Sequence, residues 1–330
     1  MEFRTQIELP NGIPPLNPLD QTLFVGSCFA ENIGSEMASR KFPCAVNTFG
    51  VLYNPASIRL CFQELTGELL SEDFLFESET GWHSWLHDSS FCENSREECL
   101  NGLRNRLEET RRQLQKAHTL FLTLGTNRAY RLKEPDLIVG NCHKQPGRLF
   151  EEITLDTREC IEELETVIRL CRRENPGLHI VFTVSPYRYA KYGFHGSQLS
   201  KATLLLAADA VCRAHPDFCF YFPAYEIVLD ELRDYRFYKE DMLHPSPQAV
   251  AYIWECFQQT FFTPETQEFV KEWESIRRAL EHRPTRPESK AYQDFLSKTL
   301  LKLESIRKKY PNLADRKSTR LNSSHESPSR

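Results

Sequence analysis

The sequence predicts an α/β protein of three layers, α/β/α, in which helices cover both faces of a mostly parallel sheet. Short apolar segments that end in glycine or polar residues alternate with amphipathic segments of helix length along most of the 330 residues. The composition is that of a globular protein, with 40% hydrophobic and 26% charged residues. Because short buried strands that alternate with helices form βαβ units, the strands are expected to lie parallel in one sheet.

Each strand is predicted from a short apolar run, and each helix from apolar residues that share one face. Strands are expected at 23–25, 45–46, 119–124, 179–184 and 218–222. Helices are expected at 29–40, 54–65, 95–116, around 161–171, at 199–215 and along 247–261. Residues 68–91 are aromatic and irregular, and residues 82–87 alternate as a strand would.

After Pro264 the pattern changes to two long helices, at about 265–281 and 288–309. They predict a helical hairpin packed on the main domain, with a lid or a dimer surface as the alternative. The chain is therefore divided into a domain of residues 1–263 and a C-terminal hairpin extension of residues 264–314. Residues 315–330 match a translated sequencing adapter and are expected not to be native. The apolar faces of the two helices are expected to be Phe269, Trp273, Ile276 and Leu280 on the first, and Phe295, Leu296, Leu300, Leu303 and Ile306 on the second.

Composition argues against several classes of protein. The chain carries 41 basic and 46 acidic residues, a formal charge of −5, which disfavours a dedicated nucleic-acid binder. Its apolar runs are too short to cross a bilayer, and its first nine residues lack the apolar core of a secretory signal. Eleven cysteines without a CxxC pair disfavour a disulfide framework or a cysteine zinc site. We expect a cytoplasmic protein with no metal, organic cofactor, nucleic-acid partner or membrane partner; the oligomeric state stays open.

Residues 24–30, Phe-Val-Gly-Ser-Cys-Phe-Ala, combine the end of a strand with the start of a helix. A nucleophile at such a junction is exposed at the sheet edge, where the free N–H groups of the helix can stabilise an oxyanion. Ser27 is the candidate nucleophile, and Gly26 would permit the sharp turn. A serine at a helix start is also a common N-cap. Cys28 and, at the end of a later strand, Ser185 are alternative nucleophiles.

The turn around His244 contains a candidate general base. Asp241 precedes His244 by three residues, and its carboxylate can reach the imidazole Nδ1–H. The other ring nitrogen is then free to accept a proton from a serine hydroxyl. Ser246 and Pro247 suit the N-cap and first position of the next helix, which ties the turn to a rigid element. A surface turn with a helix-capping histidine is the alternative interpretation.

Two further segments offer hydrogen-bond donors for an oxyanion. Residues 124–127, Leu-Gly-Thr-Asn, end a predicted strand, so the Asn127 amide can point to the same sheet edge as Ser27. Gly50, at the end of Asn-Thr-Phe-Gly, can offer a close backbone N–H. Ordinary loop residues are the plainer interpretation of both segments.

The residues Gly-Ser-Cys-Phe-Ala at 26–30 resemble the signature of the GSCFA-domain proteins, a bacterial family similar to the SGNH, or GDSL-like, esterases and acyl hydrolases. Further blocks of likeness lie at 49–55, 141–144, 183–186, 200–202, 233–238 and 241–246. The likeness spans roughly residues 5–260. It implies an SGNH-hydrolase-like, flavodoxin-like arrangement of the sheet.

The resemblance also implies roles for individual residues. Ser27 would be the nucleophile, His244 the general base and Asp241 its orienter. The backbone N–H of Ser27 would form the oxyanion hole together with Gly50 and Asn127.

Four more residues are candidates for substrate contact or for support of the site: Cys28, Asn141, His143 and Arg188. Buried structural roles are an equal alternative for Asn141 and His143. A metal site built from residues 141–144 with Asp241 and His244 is a minor alternative, because adjacent cysteine and histidine rarely bind one ion.

The predicted function is a serine hydrolase that cleaves carboxylic esters through an acyl-serine. Its expected partner is an O-acyl ester of a glycan or of a small metabolite. An acyltransferase would use the same residues, with a sugar hydroxyl in place of water. Two other classes stay open: a non-catalytic ligand-binding module, and a helical interaction protein built around residues 265–309.

Overall fold

The computed structural model of the chain describes residues 5–282 and 289–310. The strands are β1 (Thr22–Gly26), β2 (Cys44–Val46), β3 (Leu75–Ser78), β4 (Gly81–Ser84), β5 (Thr119–Leu124), β6 (Arg128–Leu132), β7 (Leu137–Val139), β8 (Phe150–Thr154), β9 (His179–Val184) and β10 (Cys219–Tyr221). The helices are α1 (Cys28–Ser39), α2 (Pro55–Leu65), α3 (Arg96–Lys116), α4 (Thr157–Glu174), α5 (Gly193–Ala214), α6 (Ala224–Glu226), α7 (Pro247–Phe261), α8 (Pro264–Glu281) and α9 (Lys290–Lys309). A π-helical segment, Ile227–Leu232, continues α6. The stretch 315–330, expected to be adapter-derived, lies outside the described residues.

The central sheet is parallel and confirms the predicted fold class. Its strand order is β2-β1-β5-β9-β10, and every neighbouring pair runs in the same direction. Counted along the chain within this sheet, the order is second, first, third, fourth, fifth, which is the flavodoxin-like order. The order reverses between β1 and β5. In such sheets the loops diverge at the reversal and leave a crevice at the carboxyl ends of the strands.

Both faces of the central sheet are covered by helices, so its strands are apolar on both sides. In β1, Leu23 and Val25 pack into the layer that contains α2, α4 and α5, whereas Phe24 packs into the layer that contains α1 and α7. The Phe24 ring stacks on Phe121 of β5 with centroids 4.7 Å apart. This two-sided burial explains why plain apolar runs predict the strands of this sheet.

Most helix starts agree with the prediction because capping side chains mark them. Ser95, Asp156 and Ser246 occupy N-cap positions and accept a hydrogen bond from the third helical N–H. Asn54 caps α2 in the same way, and the first residue of that helix is proline. The prediction that α5 begins at 199 is wrong, because the helix begins at Gly193. Its first turn contains two glycines and no capping side chain, so the sequence carries no start signal there.

Two small antiparallel sheets lie outside the central sheet. One is the hairpin of β3 and β4, and the other has the order β7-β6-β8. The alternation at 82–87 predicts a strand as far as His87, but β4 ends at Ser84 and the chain then turns. No strand is predicted at 128–154. The strands there are short and expose charged side chains such as Glu151 and Glu152, so they lack an apolar run.

The two predicted C-terminal helices are present and contact each other. α8 packs on the main domain, where Trp273 Nε1 donates a hydrogen bond to the Ser39 carbonyl at 3.0 Å. Ile306 of α9 is buried. The predicted apolar faces are partly wrong, since Leu280 is 63% exposed and Leu300 is 58% exposed. The domain boundaries at 263 and 314 stay predictions.

All eleven cysteines are free. Cys160 and Cys171 are buried in α4 as small apolar groups. Among the described helices, none has both the length and the apolar character needed to span a bilayer.

Candidate active site

The loops that follow β1, β5 and β9 meet at the carboxyl edge of the central sheet. Backbone hydrogen bonds join them at their bases: Ser27 N donates to Thr123 O at 3.1 Å, and Ser185 N donates to Leu124 O at 2.8 Å. These loops carry three of the residues predicted to form the site, Ser27, Asn127 and Arg188. The strand order reverses between β1 and β5, so this edge is also where the fold favours a ligand.

Ser27 lies where β1 ends and is the N-cap of α1. Its Oγ accepts a hydrogen bond from Phe29 N at 3.3 Å, and the residue is only 1% exposed. Gly26 has a φ of +133°, and a side-chain carbon at this position would lie 2.1 Å from Thr123 O. Glycine is therefore required for the close approach of β5 and for the sharp turn. The turn puts the serine hydroxyl at the positive end of the helix.

Asp241 and His244 form a hydrogen-bonded pair on the turn before α7. Asp241 Oδ2 lies 2.5 Å from His244 Nδ1, and Oδ1 accepts from Leu243 N at 2.9 Å and from His244 N at 3.0 Å. Burial opposes the ionisation of Asp241, but these hydrogen bonds outweigh it and lower its pKa to about 2. An ionised carboxylate only accepts hydrogen bonds. In neutral His244 the proton is therefore on Nδ1, and Nε2 is the basic nitrogen.

The loop after β9 holds this turn against the sheet edge. Arg188 N donates to Leu243 O at 3.1 Å, and Arg188 Nη1 donates to Met242 O at 2.9 Å. The Tyr187 ring lies 4.4 Å from the His244 ring, between centroids. Arg188, predicted to contact substrate or to support the site, thus binds the backbone on which His244 sits.

A series of contacts leads from this loop to Ser27. The Tyr187 and Tyr189 rings pack edge to face with centroids 4.7 Å apart. A side-chain carbon on Gly125 would lie 2.6 Å from Tyr189 Oη and 3.4 Å from Ser27 Cβ. Two tyrosines therefore lead from the His244 turn to the neighbourhood of Ser27 at one edge of the sheet. Within the described part of the chain, no hydrogen bond joins Ser27 Oγ to His244.

The three predicted oxyanion donors make other hydrogen bonds in this structure. Ser27 N donates to Thr123 O, Gly50 N donates at 2.8 Å to the carbonyl three residues before it, and Asn127 Nδ2 donates to Leu155 O at 2.6 Å. A backbone N–H has a single hydrogen, so Ser27 and Gly50 need a change of backbone hydrogen bonding before they can bind an oxyanion. Asn127 keeps a second amide hydrogen. The oxyanion role of the three groups stays a prediction.

The alternative nucleophiles, Cys28 and Ser185, lie at the same sheet edge as Ser27. Burial raises the pKa of the Cys28 thiol, and the nearby Glu31 carboxylate raises it further. This is the opposite of the activation expected for a thiol at a helix N-terminus. Ser185 is fully buried, and its Oγ accepts from Tyr187 N at 3.3 Å within the turn. The raised pKa counts against Cys28, whereas burial and contacts do not separate Ser185 from Ser27, which is also buried and accepts from Phe29 N at the same distance.

Asn141 and His143 lie beside the β3–β4 hairpin. Asn141 Oδ1 accepts from His143 N at 2.7 Å, and His143 Nε2 lies 2.9 Å from the Ser84 carbonyl oxygen. The His143 ring packs 4.9 Å from the His83 ring. Among the described residues, neither side chain contacts His244. The same residues contain no group of three histidine, cysteine or acidic side chains arranged to hold a metal ion.

Two polar groups beside Ser27 were not predicted from the sequence. Lys201 is 1% exposed, and its Nζ donates to Gly125 O at 2.6 Å. Burial lowers the pKa of Lys201 to about 7. Tyr189 Oη is buried and has no hydrogen-bond partner among the described residues. The signals available for Lys201 were its position in a strongly apolar helix and in the likeness block at 200–202; the signal for Tyr189 was the group of tyrosines at 187, 189 and 192.

A second set of serine, histidine and carboxyl groups lies inside the protein. Ser84 Oγ is 2.9 Å from His87 Nδ1, and a carboxyl oxygen of Glu64 is 3.3 Å from His87 Nε2. Ser84 is 0% exposed, His87 is 1% exposed and Glu64 is 5% exposed. Unlike the Asp241–His244 pair, whose side chains are 41% and 39% exposed, the histidine and carboxyl group of this set are closed off from solvent.

The fold and these contacts define a parallel α/β protein with a serine at a strand–helix junction and an Asp–His pair at the same edge. The chain belongs to the GSCFA family, whose model matches residues 21–257. This match confirms the resemblance carried by residues 26–30. A second model, GSCFA domain protein, C-terminal domain, matches residues 273–319 and overlaps the start of the stretch 315–330.

The solved structures that match this chain are distant. A protein from Streptococcus pneumonia, provisionally described as a platelet activating factor, aligns at 12% identity and a TM-score of 0.39 over 73% of this chain and 83% of its own. A family two carbohydrate esterase from Clostridium thermocellum aligns at 13% identity and a TM-score of 0.34 over 74% and 64%. An acetyl xylan esterase from the rumen bacterium Butyrivibrio proteoclasticus aligns at 10% identity and a TM-score of 0.36 over 80% and 65%. Similarity at this level carries no inference about the reaction. Comparison with curated proteins found no match.

Proposed function

We propose that the protein is a serine hydrolase that cleaves O-acyl esters through an acyl-serine at Ser27. The observation that carries the proposal is the Asp241–His244 hydrogen bond of 2.5 Å at the sheet edge that also carries Ser27. Ionised Asp241 holds the imidazole proton on Nδ1 and leaves Nε2 of His244 as the base. The N-terminus of α1 favours negative charge at the position of Ser27 Oγ.

In the proposed reaction, Ser27 Oγ attacks the acyl carbonyl carbon while His244 Nε2 takes the hydroxyl proton. The tetrahedral intermediate collapses, the bond to the leaving alcohol oxygen breaks, and His244 returns the proton to that oxygen. Water then attacks the acyl-serine with His244 as base, which releases the carboxylic acid and regenerates Ser27. The hydrogen bond between Ser27 and His244 is expected to form with substrate bound, since such bonds often tighten only in the complex.

The surroundings of Ser27 favour a short acyl group on a polar alcohol. Ser27 is 1% exposed, so a long acyl chain has little room to approach it. Outside the loop, the Arg188 guanidinium lies 4.4 Å from the Phe194 ring and 5.8 Å from the Tyr235 ring, and these rings are 54% and 67% exposed. Exposed aromatic faces beside a cation suit a sugar or another polar metabolite. We therefore expect faster hydrolysis of p-nitrophenyl acetate than of p-nitrophenyl octanoate.

The proposal is tested by fluorophosphonate labelling of the full chain, with the adduct located by peptide mass spectrometry. We expect an adduct on Ser27 that is absent in Ser27→Ala and strongly slowed in His244→Ala. His215→Ala is the matched control. It removes another histidine–carboxylate pair, with Glu165 at 2.8 Å, at the far end of α5. Its labelling should equal that of the wild type.

Three results would redirect the proposal. A folded wild-type protein with no adduct would favour the ligand-binding module. An adduct on Cys28 with a thiol-directed probe, and none on Ser27, would replace the acyl-serine by a thioester. Added sugars could also speed up ester cleavage by accepting the acyl group on a hydroxyl. Recovery of the acyl group on the sugar would identify an acyltransferase.

A further inference from the structure

We propose that Tyr189 is a catalytic residue of this site, whose hydroxyl donates a hydrogen bond to the oxyanion formed when Ser27 attacks the ester. The inference rests on the proposed hydrolase function. At the sheet edge, the backbone N–H groups of Ser27 and Gly50 are already bonded to carbonyl oxygens. An oxyanion at Ser27 needs a donor that is free, near and fixed in place.

Tyr189 Oη is near enough to Ser27 for this role. Both Tyr189 Oη and Ser27 Cβ approach the same point above Gly125, at 2.6 and 3.4 Å, so they lie no more than about 6 Å apart. The oxygen of an acyl group on Ser27 is three bonds from Cβ, about 3 Å, and an O–H···O hydrogen bond spans about 2.7 Å more. Tyr189 Oη is therefore within hydrogen-bond reach of a carbonyl oxygen on Ser27.

Tyr189 is also free and held in place. Its Oη is buried and has no partner among the described residues. The Tyr189 ring packs against Tyr187 at 4.7 Å and stacks on Tyr192 at 5.5 Å, and its backbone N–H donates to Ser197 Oγ at 3.1 Å. A buried hydroxyl without a partner is destabilising, so this donor is available to a bound group. Burial raises the pKa of Tyr189 well above its usual value, so the hydroxyl keeps its proton through the working pH range.

The hydroxyl stabilises charge without transferring a proton. As Ser27 Oγ bonds to the carbonyl carbon, the electron pair of the carbonyl double bond moves onto oxygen, and the Tyr189 O–H hydrogen bond strengthens. When the alkoxide leaves and the carbonyl reforms, the charge is gone and the hydrogen bond weakens again. The proton taken from Ser27 still travels to the leaving oxygen through His244.

A second unpartnered donor lies at the same edge. Asn47 Nδ2 has no partner among the described residues, while its Oδ1 accepts from Gly26 N at 3.0 Å. Donation by Asn47 alone predicts that loss of the Tyr189 hydroxyl leaves the rate unchanged. A Tyr189 variant therefore separates the two assignments.

The experiment compares full-length wild type, Tyr189→Phe and Tyr192→Phe. For each we measure kcat and KM with p-nitrophenyl acetate, the rate of fluorophosphonate labelling at Ser27, and Tm. Tyr189→Phe removes one oxygen and should lower kcat about 10²–10³-fold, as loss of an oxyanion donor does. KM should change little and Tm should not fall, since the lost hydroxyl is unpaired. Tyr192→Phe keeps the stacked ring but loses a hydrogen bond with Thr126, so its kcat should equal that of the wild type although its Tm can fall. The loss in Tyr189→Phe should be equal at low and high pH.

The outcomes distinguish this inference from the proposed function. If the wild type is labelled at Ser27 and Tyr189→Phe has an unchanged kcat, the role of Tyr189 is overturned and the hydrolase proposal stays intact. A folded wild type without label at Ser27 overturns both. A Tyr189→Phe protein with a lower Tm and a raised KM at unchanged kcat assigns Tyr189 a structural role. Incorporation of 3-fluorotyrosine at 189 keeps shape and donor, and should retain the wild-type rate if the hydroxyl is what matters.

Discussion

Two regions of this protein contain the same three chemical groups in different surroundings. At the sheet edge, Asp241 binds Nδ1 of His244, and both side chains are about two-fifths exposed, at 41% and 39%. Beneath the β3–β4 hairpin, Ser84 binds Nδ1 of His87, and Glu64 lies 3.3 Å from Nε2. The carboxyl group therefore lies beside Nδ1 of the imidazole in the first set and beside Nε2 in the second.

The surroundings also give the two carboxyl groups opposite charge states. N–H donors lower the pKa of Asp241 to about 2, although burial opposes this. Burial raises the pKa of Glu64 to about 7 and lowers the pKa of His87 to about 3, so this buried pair is neutral in mildly acidic solution. Residue types alone thus do not identify an acid–base site. The two sets differ in the exposure of the histidine and carboxyl groups and in the N–H donors that bind the carboxylate.

The largest expected effect tests which serine reacts. Ser27→Ala should lower ester hydrolysis at least about 10⁴-fold, because the nucleophile is lost. Ser84→Ala should leave kcat within about threefold but lower the free energy of unfolding by about 1–3 kcal/mol, because it unpairs buried polar groups. Hydrolysis rates and urea unfolding of both variants check this. Equal losses of activity in Ser27→Ala and Ser84→Ala would contradict the assignment of Ser27, and not Ser84, as the nucleophile.

The second effect tests the orienting carboxylate. Asp241→Asn should lower kcat about 10²–10⁴-fold, because an amide can stabilise the wrong tautomer of His244. Asp234→Asn, on a neighbouring turn where the carboxylate accepts from Arg236 N at 2.9 Å, is the control and should retain activity. The pKa of Asp241 is lowered from 3.8 to about 2, so its contribution is present above pH 3.8 and lost as the pH falls through about 2. A pH–rate profile of the wild type should therefore show no step from Asp241 near neutrality.

The third effect is on stability and concerns the buried set. The pKa of Glu64 is raised from 4.5 to about 7, so its contribution is complete below pH 4.5 and lost as the pH rises through about 7. Glu64→Gln removes this titration. The free energy of unfolding of the variant minus that of the wild type should therefore be larger at pH 8 than at pH 4, by up to about 3 kcal/mol.

Urea unfolding at several pH values measures the effect of Glu64→Gln. His87 titrates in both proteins, so the difference between them isolates Glu64. Glu72→Gln, which removes an exposed partner of Arg104, is the control and should show no such dependence on pH. A constant difference between wild type and Glu64→Gln from pH 4 to pH 8 would contradict the raised pKa.

The smallest expected effect concerns the thiol next to Ser27. Burial raises the pKa of Cys28, so it is a poor nucleophile, and Cys28→Ala should keep kcat within about threefold of wild type. Treatment with iodoacetamide near neutral pH should likewise leave the hydrolysis rate unchanged. If Cys28→Ala loses as much hydrolysis activity as Ser27→Ala, the acyl group is carried by the Cys28 sulfur.

Local features of the fold were predicted well from the sequence. The strands at 119–124 and 179–184 and the caps at Ser95 and Ser246 lie where the pattern predicts them. The strands at 128–154 were missed because they lie in a small sheet with exposed charges. The apolar face of α9 was partly wrong, since Leu300 is exposed although its helix is amphipathic.

In the candidate site too, contacts within one short segment were predictable from the sequence, whereas contacts between distant segments were not. The Asp241–His244 contact was predictable because both residues lie on one short turn. Tyr189 and Lys201 were not, because only the packing of α5 and the loop after β9 on Gly125 brings them to Ser27. The hydrogen bonds that occupy Ser27 N and Gly50 N also depend on how the loops fold together.

The sequence by itself determined the order of helices and strands, the parallel α/β class and the family signature at 26–30, because these depend on neighbouring residues along the chain. The tertiary structure alone decided which of two serine, histidine and carboxyl sets faces the sheet edge, and which carboxyl group is ionised. Those properties depend on burial and on hydrogen-bond donors from distant segments, and burial is set only when the layers pack.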